Sequence, residues 1–185
     1  MKFKEIEHKF LVDDSFDLIS FKKNINKNIL VKDSYRISVV DTYYLIDGIE
    51  SYIYRHRYDS KSQYLTVKTF GGDNEERTEV NLALFQGEGD QRDAVDAFMG
   101  TLGISWSGTI QKDVEVFYSE DCEIVHYLAN SDGREVSCVE FESRNAKTKD
   151  EAVDVLYKYE EMLGFDSNNR SRLSIFEIFF KKYIK

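Results

Sequence analysis

Apolar and polar residues alternate along much of the chain with a period of two. Runs rich in Val, Ile, Thr, Tyr and Phe predict strands over Phe3–Val12, Val39–Ile46, Tyr52–Tyr58, Tyr64–Phe70, Arg77–Leu84, Ile110–Tyr118, Ile124–Leu128 and Val136–Ser143. Turn residues punctuate them at Asp47-Gly48, Gly71-Gly72-Asp73-Asn74 and Ser131-Asp132-Gly133, the last reading as a hairpin turn. Helical spacing appears between the strands. Asp90–Leu102 places Ala94, Val95, Phe98, Met99 and Leu102 on one face. In Thr148–Leu163 an apolar stripe follows Thr148 and Glu151, which fit a capping box, and Gly164 stands where a C-terminal glycine is expected. Arg172–Tyr183 reads as helix through Ile175, Ile178 and Phe179, and a short helix is expected across Ser15–Phe21. Many strands, few helices and no β-α-β alternation predict an antiparallel α+β fold.

A strand sends alternate residues to opposite faces. Glu5, Glu7 and Lys9 therefore share a face opposite Ile6, and Arg55 and Arg57 share another. Thr66 and Lys68 oppose Leu65 and Val67, and Arg77, Glu79 and Asn81 oppose Thr78, Val80 and Leu82. Cys138, Glu140 and Glu142 oppose Val139 and Phe141. Lys112 lies on the face of Val114 and Val116, but Asp113 and Glu115 occupy the other face, so that strand stays ambiguous. A charged face ordinarily meets water. Here the apolar faces call for cover and amphipathic helices are at hand. If those helices lie outside, the charged faces line the inside of a closed sheet of roughly eight strands, which has room for one small ligand.

Composition narrows the classes. The chain has 185 residues, 42% hydrophobic and 32% charged, which suits one domain across residues 1–185 with a core that needs no staples. Cys122 and Cys138 suggest no disulfide framework, and no run approaches the roughly 20 apolar residues of a membrane span. With no apolar signal segment in Met1–Lys9, the expectation is a cytoplasmic protein. A formal net charge of −9 argues against a general nucleic-acid binder, though not against a local basic pocket. Proline is absent, so no strand lacks a backbone donor on its account.

The inventory of the charged faces points to phosphate and metal. Carboxylates two residues apart on one strand face can share a hard cation such as Mg²⁺ or Mn²⁺. Arginine forks match phosphate oxygens, and lysines add compact charge. The basic set is Lys9, Arg55, Arg57, Lys68, Arg77, Lys112 and Arg172, and the acidic set is Glu5, Glu7, Glu79, Glu140 and Glu142, seven against five. The surplus suits a polyanion such as a triphosphate.

These segments resemble the CYTH superfamily, the triphosphate tunnel metalloenzymes, in order over most of the chain. Glu5-x-Glu7-x-Lys9 resembles the N-terminal E-x-E-x-K signature, and Asp41-Thr42-Tyr43-Tyr44 the D-T-Y-Y segment. Tyr54-Arg55-His56-Arg57 is similar to the L-R-x-R strand and Leu65-Thr66-Val67-Lys68 to the L-T-x-K strand. Arg77-Thr78-Glu79 resembles R-x-E, and Glu140-Phe141-Glu142 the late E-x-E. The resemblance implies an eight-stranded closed antiparallel β-barrel with helices packed outside, acting with Mg²⁺ or Mn²⁺ on a triphosphate. It implies Glu5, Glu7, Glu140 and Glu142 as metal ligands. Lys9, Arg55, Arg57 and Lys68 would hold phosphates, with Arg77, Lys112 and Arg172 as further basic contacts. Lys9, Tyr43 and Glu79 are the candidate catalytic groups, Lys9 and Tyr43 as general bases once their pKa values are lowered.

Some positions depart from that pattern. Asn81 replaces a third acidic residue, Lys112-Asp113-Val114 lacks a second basic residue, Arg172-Leu173-Ser174-Ile175 replaces a Ser-Tyr pair, and Asn130–Arg134 replaces a Leu-Gly. Hydrolysis of inorganic triphosphate or a small organic triphosphate such as thiamine triphosphate leads. Adenylate cyclisation and non-catalytic triphosphate binding stand as alternatives. His8, His56 and His126 are too scattered for zinc, and Gly71-Gly72-Asp73 lacks the G-K-[ST] of a phosphate loop. Trp106 reads as a loop anchor or dimer contact, and Phe179–Ile184 as a candidate homodimer segment.

Overall fold

The computed structural model describes residues 4–69 and 75–183; Phe3, Phe70, the turn expected at Gly71-Gly72-Asp73-Asn74 and Ile184 lie outside the described residues. Eight strands are present: β1 Lys4–Val12, β2 Asp33–Ile46, β3 Ile49–Asp59, β4 Gln63–Thr69, β5 Glu76–Ala83, β6 Ile104–Tyr118, β7 Cys122–Ser131 and β8 Arg134–Ser143. They close into one antiparallel barrel in the order β1-β5-β4-β3-β2-β6-β7-β8. Two meanders, β2 to β5 and β6 to β8, meet where β2 pairs with β6 from Asp33↔Tyr118 to Ile46↔Ile104. The first strand closes the ring, pairing with β5 through Lys4–Ile6 and with β8 through Glu7–Val12. The β7–β8 hairpin turns at Asp132 and Gly133, whose φ values of 52° and 77° are the left-handed pair a two-residue type I′ turn requires.

Four helices accompany the barrel: α1 Leu18–Asn28, α2 Arg92–Gly100, α3 Lys149–Leu163 and α4 Ile175–Phe180. The first three cover apolar outer faces. Ile6, Phe10, Ile124, Val139 and Phe141 pack under Phe21 and Ile25 of α1 and Leu156 and Leu163 of α3. Val95 and Met99 of α2 pack on Tyr44 and Ile46. The alternation inferred from sequence therefore puts charge inside and hydrophobic side chains outside, the reverse of a water-facing sheet. The ambiguity at β6 resolves the same way, with Lys112, Val114 and Val116 lining the cavity.

Several boundaries differ from the sequence expectation, each for a local reason. The first helix runs Leu18–Asn28 rather than Ser15–Phe21, because Asp17 caps it by accepting from Ser20 N at 3.0 Å and Phe21 and Ile25 bury one face. Thr148 caps α3 by accepting from Glu151 N at 3.2 Å, but the Glu151 carboxylate accepts from Lys147 N, so the box is only half formed. The reciprocal capping box is at Ser174 and Glu177, and it starts α4 at Ile175 instead of Arg172. Trp106 is not in a loop. It lies in β6 against Phe176, Phe180 and Tyr183, where a side chain at Gly108 would overlap its indole ring.

That contact locates α4 at one end of the barrel and not on its outer wall. Phe176 and Phe180 pack on the inward-facing Tyr43 and Trp106, and the helix closes this end with an apolar plug. Phe179 and Phe180, expected as part of a dimer face, are buried in that plug. At the opposite end Tyr35, Ile37 and Val125 are half-buried and the barrel opens.

Candidate active site

The barrel encloses a cavity of about 250 Å³, several times the ~30 Å³ a water molecule takes up in the liquid. Twelve of the thirteen residues singled out from the sequence line it, and only Arg172 does not. Arg172 is exposed, before α4. The remaining twelve come from seven strands, each delivered by period-two alternation.

Asp41 organises the basic wall. Its carboxylate is fully buried and accepts from Arg57 Nε at 2.7 Å and Arg57 Nη2 at 2.8 Å. Lys112 Nζ is 2.8 Å away, Arg55 Nε 3.9 Å, and the Tyr43 hydroxyl donates from 3.5 Å. Burial alone would raise its pKa, but Arg57, Lys112 and Arg55 outweigh burial and hold the carboxyl well below the usual range. Arg55 also reaches Glu79 at 3.5 Å, yet its buried Nε has no hydrogen-bond acceptor among the described residues. The buried Nε of Arg77 is likewise without one. Donors stranded in this way fit an anion.

The acidic wall faces it. Cross-strand register sets Glu7 opposite Glu142 and Glu142 opposite Glu123, three carboxylates in a row across β1, β8 and β7. Like charges so paired are unfavourable without a counter-charge. Burial, reinforced by Glu5, Glu123 and Glu7, pushes the Glu142 carboxyl well above its usual range, and among the described residues Glu142 makes no ion pair. Glu5 is also pushed up, chiefly by burial against the opposing pull of Lys68. Glu7 goes the other way: Arg77 and Lys9 overcome burial and lower it. Lys9 Nζ sits between Glu140 at 2.9 Å and Glu7 at 3.3 Å, and these two carboxylates, against the effect of burial, hold it charged. Tyr127 donates to Glu140 at 2.7 Å.

This donor set suits a hard divalent cation: only carboxylate oxygens, in a row that carries uncompensated negative charge. The ligands are not yet gathered, since among the described residues no group of three or more His, Cys, Asp or Glu stands ready around one point. The carboxylates are instead shared out to Lys9, Lys68 and Arg77.

Three lining or supporting acids escaped the sequence reading. Asp59 lies at the end of β3, Glu123 fell outside the predicted seventh strand, and Asp41 was matched as part of a motif without a role. With these added and Arg172 removed, the interior holds six basic and eight acidic side chains, which reverses the expected positive surplus. The register of the Asp132-Gly133 hairpin, extended to Cys122↔Ser143, would have revealed Glu123. Asn81, at the position of a missing acid, accepts from Thr66 at 2.6 Å and donates to Glu79 at 2.8 Å.

The chain thus forms a closed antiparallel barrel whose bore carries both signs of charge and is plugged at one end. Solved structures agree on that fold. A protein of Pyrococcus furiosus superposes with a TM-score of 0.70 at 23% identity, covering 94% of this chain and 98% of its own. An adenylate cyclase candidate of Bacillus halodurans gives 0.59 at 18% identity, covering 96% and 99%. An adenylyl cyclase candidate of Hippeastrum, described as having a dominant triphosphatase activity, gives 0.62 at 11% identity, covering 96% of each chain. No protein-family profile and no curated protein sequence matches the chain.

Proposed function

We propose that the protein is a divalent-metal-dependent hydrolase of triphosphates, acting on a terminal phosphoanhydride. The observation that carries this reading is the pairing of two walls in one bore: the Glu7–Glu142–Glu123 row and the Asp41-centred cluster of Arg55, Arg57 and Lys112. Glu5, Glu7, Glu123, Glu140 and Glu142 would hold Mg²⁺ or Mn²⁺. Such an ion, when bound, neutralises phosphate charge and lowers the pKa of a bound water.

The chain's own residues do the rest. Arg55, Arg57 and Lys112 bind the phosphate chain and stabilise charge that builds on its oxygens, since phosphoryl transfer depends mainly on positioning and electrostatics. Lys68 and Arg77 bind the same chain from β4 and β5, and in doing so leave Glu5 and Glu7 to the cation. Lys9, kept protonated by Glu140 and Glu7, suits phosphate binding better than proton abstraction. Tyr43, whose hydroxyl turns to Asp41, orients the basic cluster. Glu79 holds Lys68 and Arg55. A one-ended tunnel and a chain of net charge −9 favour a small molecule over a nucleic-acid strand.

A cyclase reading shares the phosphate site and replaces water by a ribose hydroxyl. It draws on the fold neighbour from Bacillus halodurans, described as an adenylate cyclase candidate. Incubation with inorganic triphosphate, thiamine triphosphate and ATP, each with Mg²⁺ or Mn²⁺, separates the readings. Metal-dependent phosphate release supports hydrolysis and cyclic AMP the cyclase. Failure to bind or turn over all three overturns the triphosphate reading.

A further inference from the structure

Tyr127 carries no charge, yet it touches both charged walls of the bore. It stands on β7, between the strand of Lys112 and the strand of Glu140 and Glu142. Register sets it opposite Val114 on one side and Cys138 on the other. Glu140 is therefore its diagonal neighbour, within reach of a long aromatic side chain. The residue lines the cavity and is 2% exposed.

The ring and the hydroxyl make different contacts. The hydroxyl donates to Glu140 Oε1 at 2.7 Å, and since an ionised carboxylate can only accept, the direction of that bond is fixed. Lys9 Nζ, from the position directly opposite on β1, holds the same Oε1 at 2.9 Å. Glu140 is thus gripped from both neighbouring strands through one oxygen. Its Oε2 has no hydrogen bond or ion pair among the described residues. Glu142, two residues along the same face, has neither anchor. On the other side, Lys112 Nζ lies 5.2 Å from the centre of the Tyr127 ring while it reaches Asp41 at 2.8 Å.

A carboxylate pinned by one oxygen offers the other in a set direction, and the ordering of its side chain is complete before a cation arrives. Groups that hold a metal ligand in this way, without touching the metal, change affinity by about 10- to 100-fold. We propose that Tyr127 is a positioning residue whose hydroxyl fixes Glu140 so that Oε2 is presented to the divalent cation. The proposal rests on the metal-dependent reading above and adds to it a residue that acts through Glu140 alone. A tyrosine that merely satisfied its own buried hydroxyl would make the same hydrogen bond but would leave metal affinity unmoved.

Tyr127→Phe separates the two roles, because it keeps the ring beside Lys112 and removes only the hydroxyl. In EDTA the full-length variant should melt within a few degrees of the wild type. Titrated with Mn²⁺ and followed by electron paramagnetic resonance, it should bind the ion about tenfold more weakly. Glu140→Gln should weaken Mn²⁺ binding by itself, with Glu5, Glu7, Glu123 and Glu142 still present. Adding Tyr127→Phe to Glu140→Gln should cause no further loss, since the hydroxyl then has no carboxylate to place. Unchanged Mn²⁺ affinity in Tyr127→Phe, losses that multiply in the double variant, or a collapse of the melting temperature in EDTA would each overturn the positioning role and leave the metal reading standing. If the wild type binds no Mn²⁺, the metal reading fails and the positioning role fails with it.

Discussion

Arg57 clasps Asp41 with two nearly equal hydrogen bonds, 2.7 Å from Nε and 2.8 Å from Nη2, one to each carboxylate oxygen. This is the bidentate geometry in which a guanidinium also holds a phosphate. Asp41 thus occupies, within the fold, the coordination that an anion would compete for. It also holds Lys112 and Arg55.

Replacing Asp41 with Asn should leave the buried Lys112 and the half-buried Arg57 without their carboxylate and Arg55 with Glu79 alone, at a cost of about 3 kcal/mol. Added sulfate or triphosphate should restore more stability to D41N than to the wild type. Melting temperatures with and without anion, measured on both proteins, check this. Equal anion-induced shifts would contradict the role given to Asp41.

The same carboxylate sets a pH window. Its folded pKa is held well below the unfolded value of 3.8, so its stabilising contribution is complete above that value and is lost as pH falls through the folded one. The gap in urea midpoint between wild type and D41N should stay level from about pH 8 to pH 5 and begin to narrow below about pH 4.

On the acidic wall, Glu142→Gln removes a like charge from the Glu7–Glu142–Glu123 row. In EDTA the variant should be as stable as the wild type or more so, by up to about 1 kcal/mol. Its Mn²⁺ affinity should drop at least about tenfold. Chemical denaturation and Mn²⁺ titration read the two effects separately, and a variant both less stable and unimpaired in Mn²⁺ binding would refute the assignment.

Outside the barrel, His8 and Glu160 form a buried pair, with Ser167 donating to the same carboxylate at 2.5 Å and Arg170 Nη1 donating to His8 Nε2 at 2.7 Å. Since the arginine can only donate and the carboxylate only accept, His8 carries its proton on Nδ1 and accepts at Nε2. Glu160→Leu should cost about 3 kcal/mol, because it strands His8 and Ser167. The His8→Phe/Glu160→Leu double variant should recover a substantial part of it. A double-mutant cycle on unfolding free energies measures the coupling, and additive losses would show that the pair acts independently.

The plug at the closed end gives a packing prediction. A valine at Gly108 would overlap Trp106 and press on Phe180, 3.1 Å from the added carbon. Gly108→Val should cost about 1–3 kcal/mol and red-shift the fluorescence of the single tryptophan as α4 lifts away.

How much of this was legible in the sequence depended on how cleanly alternation survived. Glu5, Glu7 and Lys9 alternate with Ile6, His8 and Phe10, so one strand announced both its faces. The first halves of β2 and β6 were missed because Asp33–Ser38 and Ile104–Thr109 are polar outside and only partly buried, and each forms a strand by pairing with the second half of the other, Asp33–Ser38 with Asp113–Tyr118 and Ile104–Thr109 with Thr42–Ile46. Arg172 looked like a site residue by its type and place in the chain. The Ser174–Glu177 capping box, a local signal overlooked in favour of the apolar spacing, starts α4 after Arg172 and leaves that residue exposed. Glu123 depends on register between strands, which period-two patterning within one strand does not carry.

Glu7 and Glu142 lie on strands far apart in the sequence, and β1 completes the ring only when β5 and β8 are both in place. The acidic row therefore does not exist in any partly folded chain that lacks that closure. A cation that needs the whole row would recognise only the sealed barrel, so its binding would stabilise that state against opening at β1. A cation held there would be the clasp of the ring.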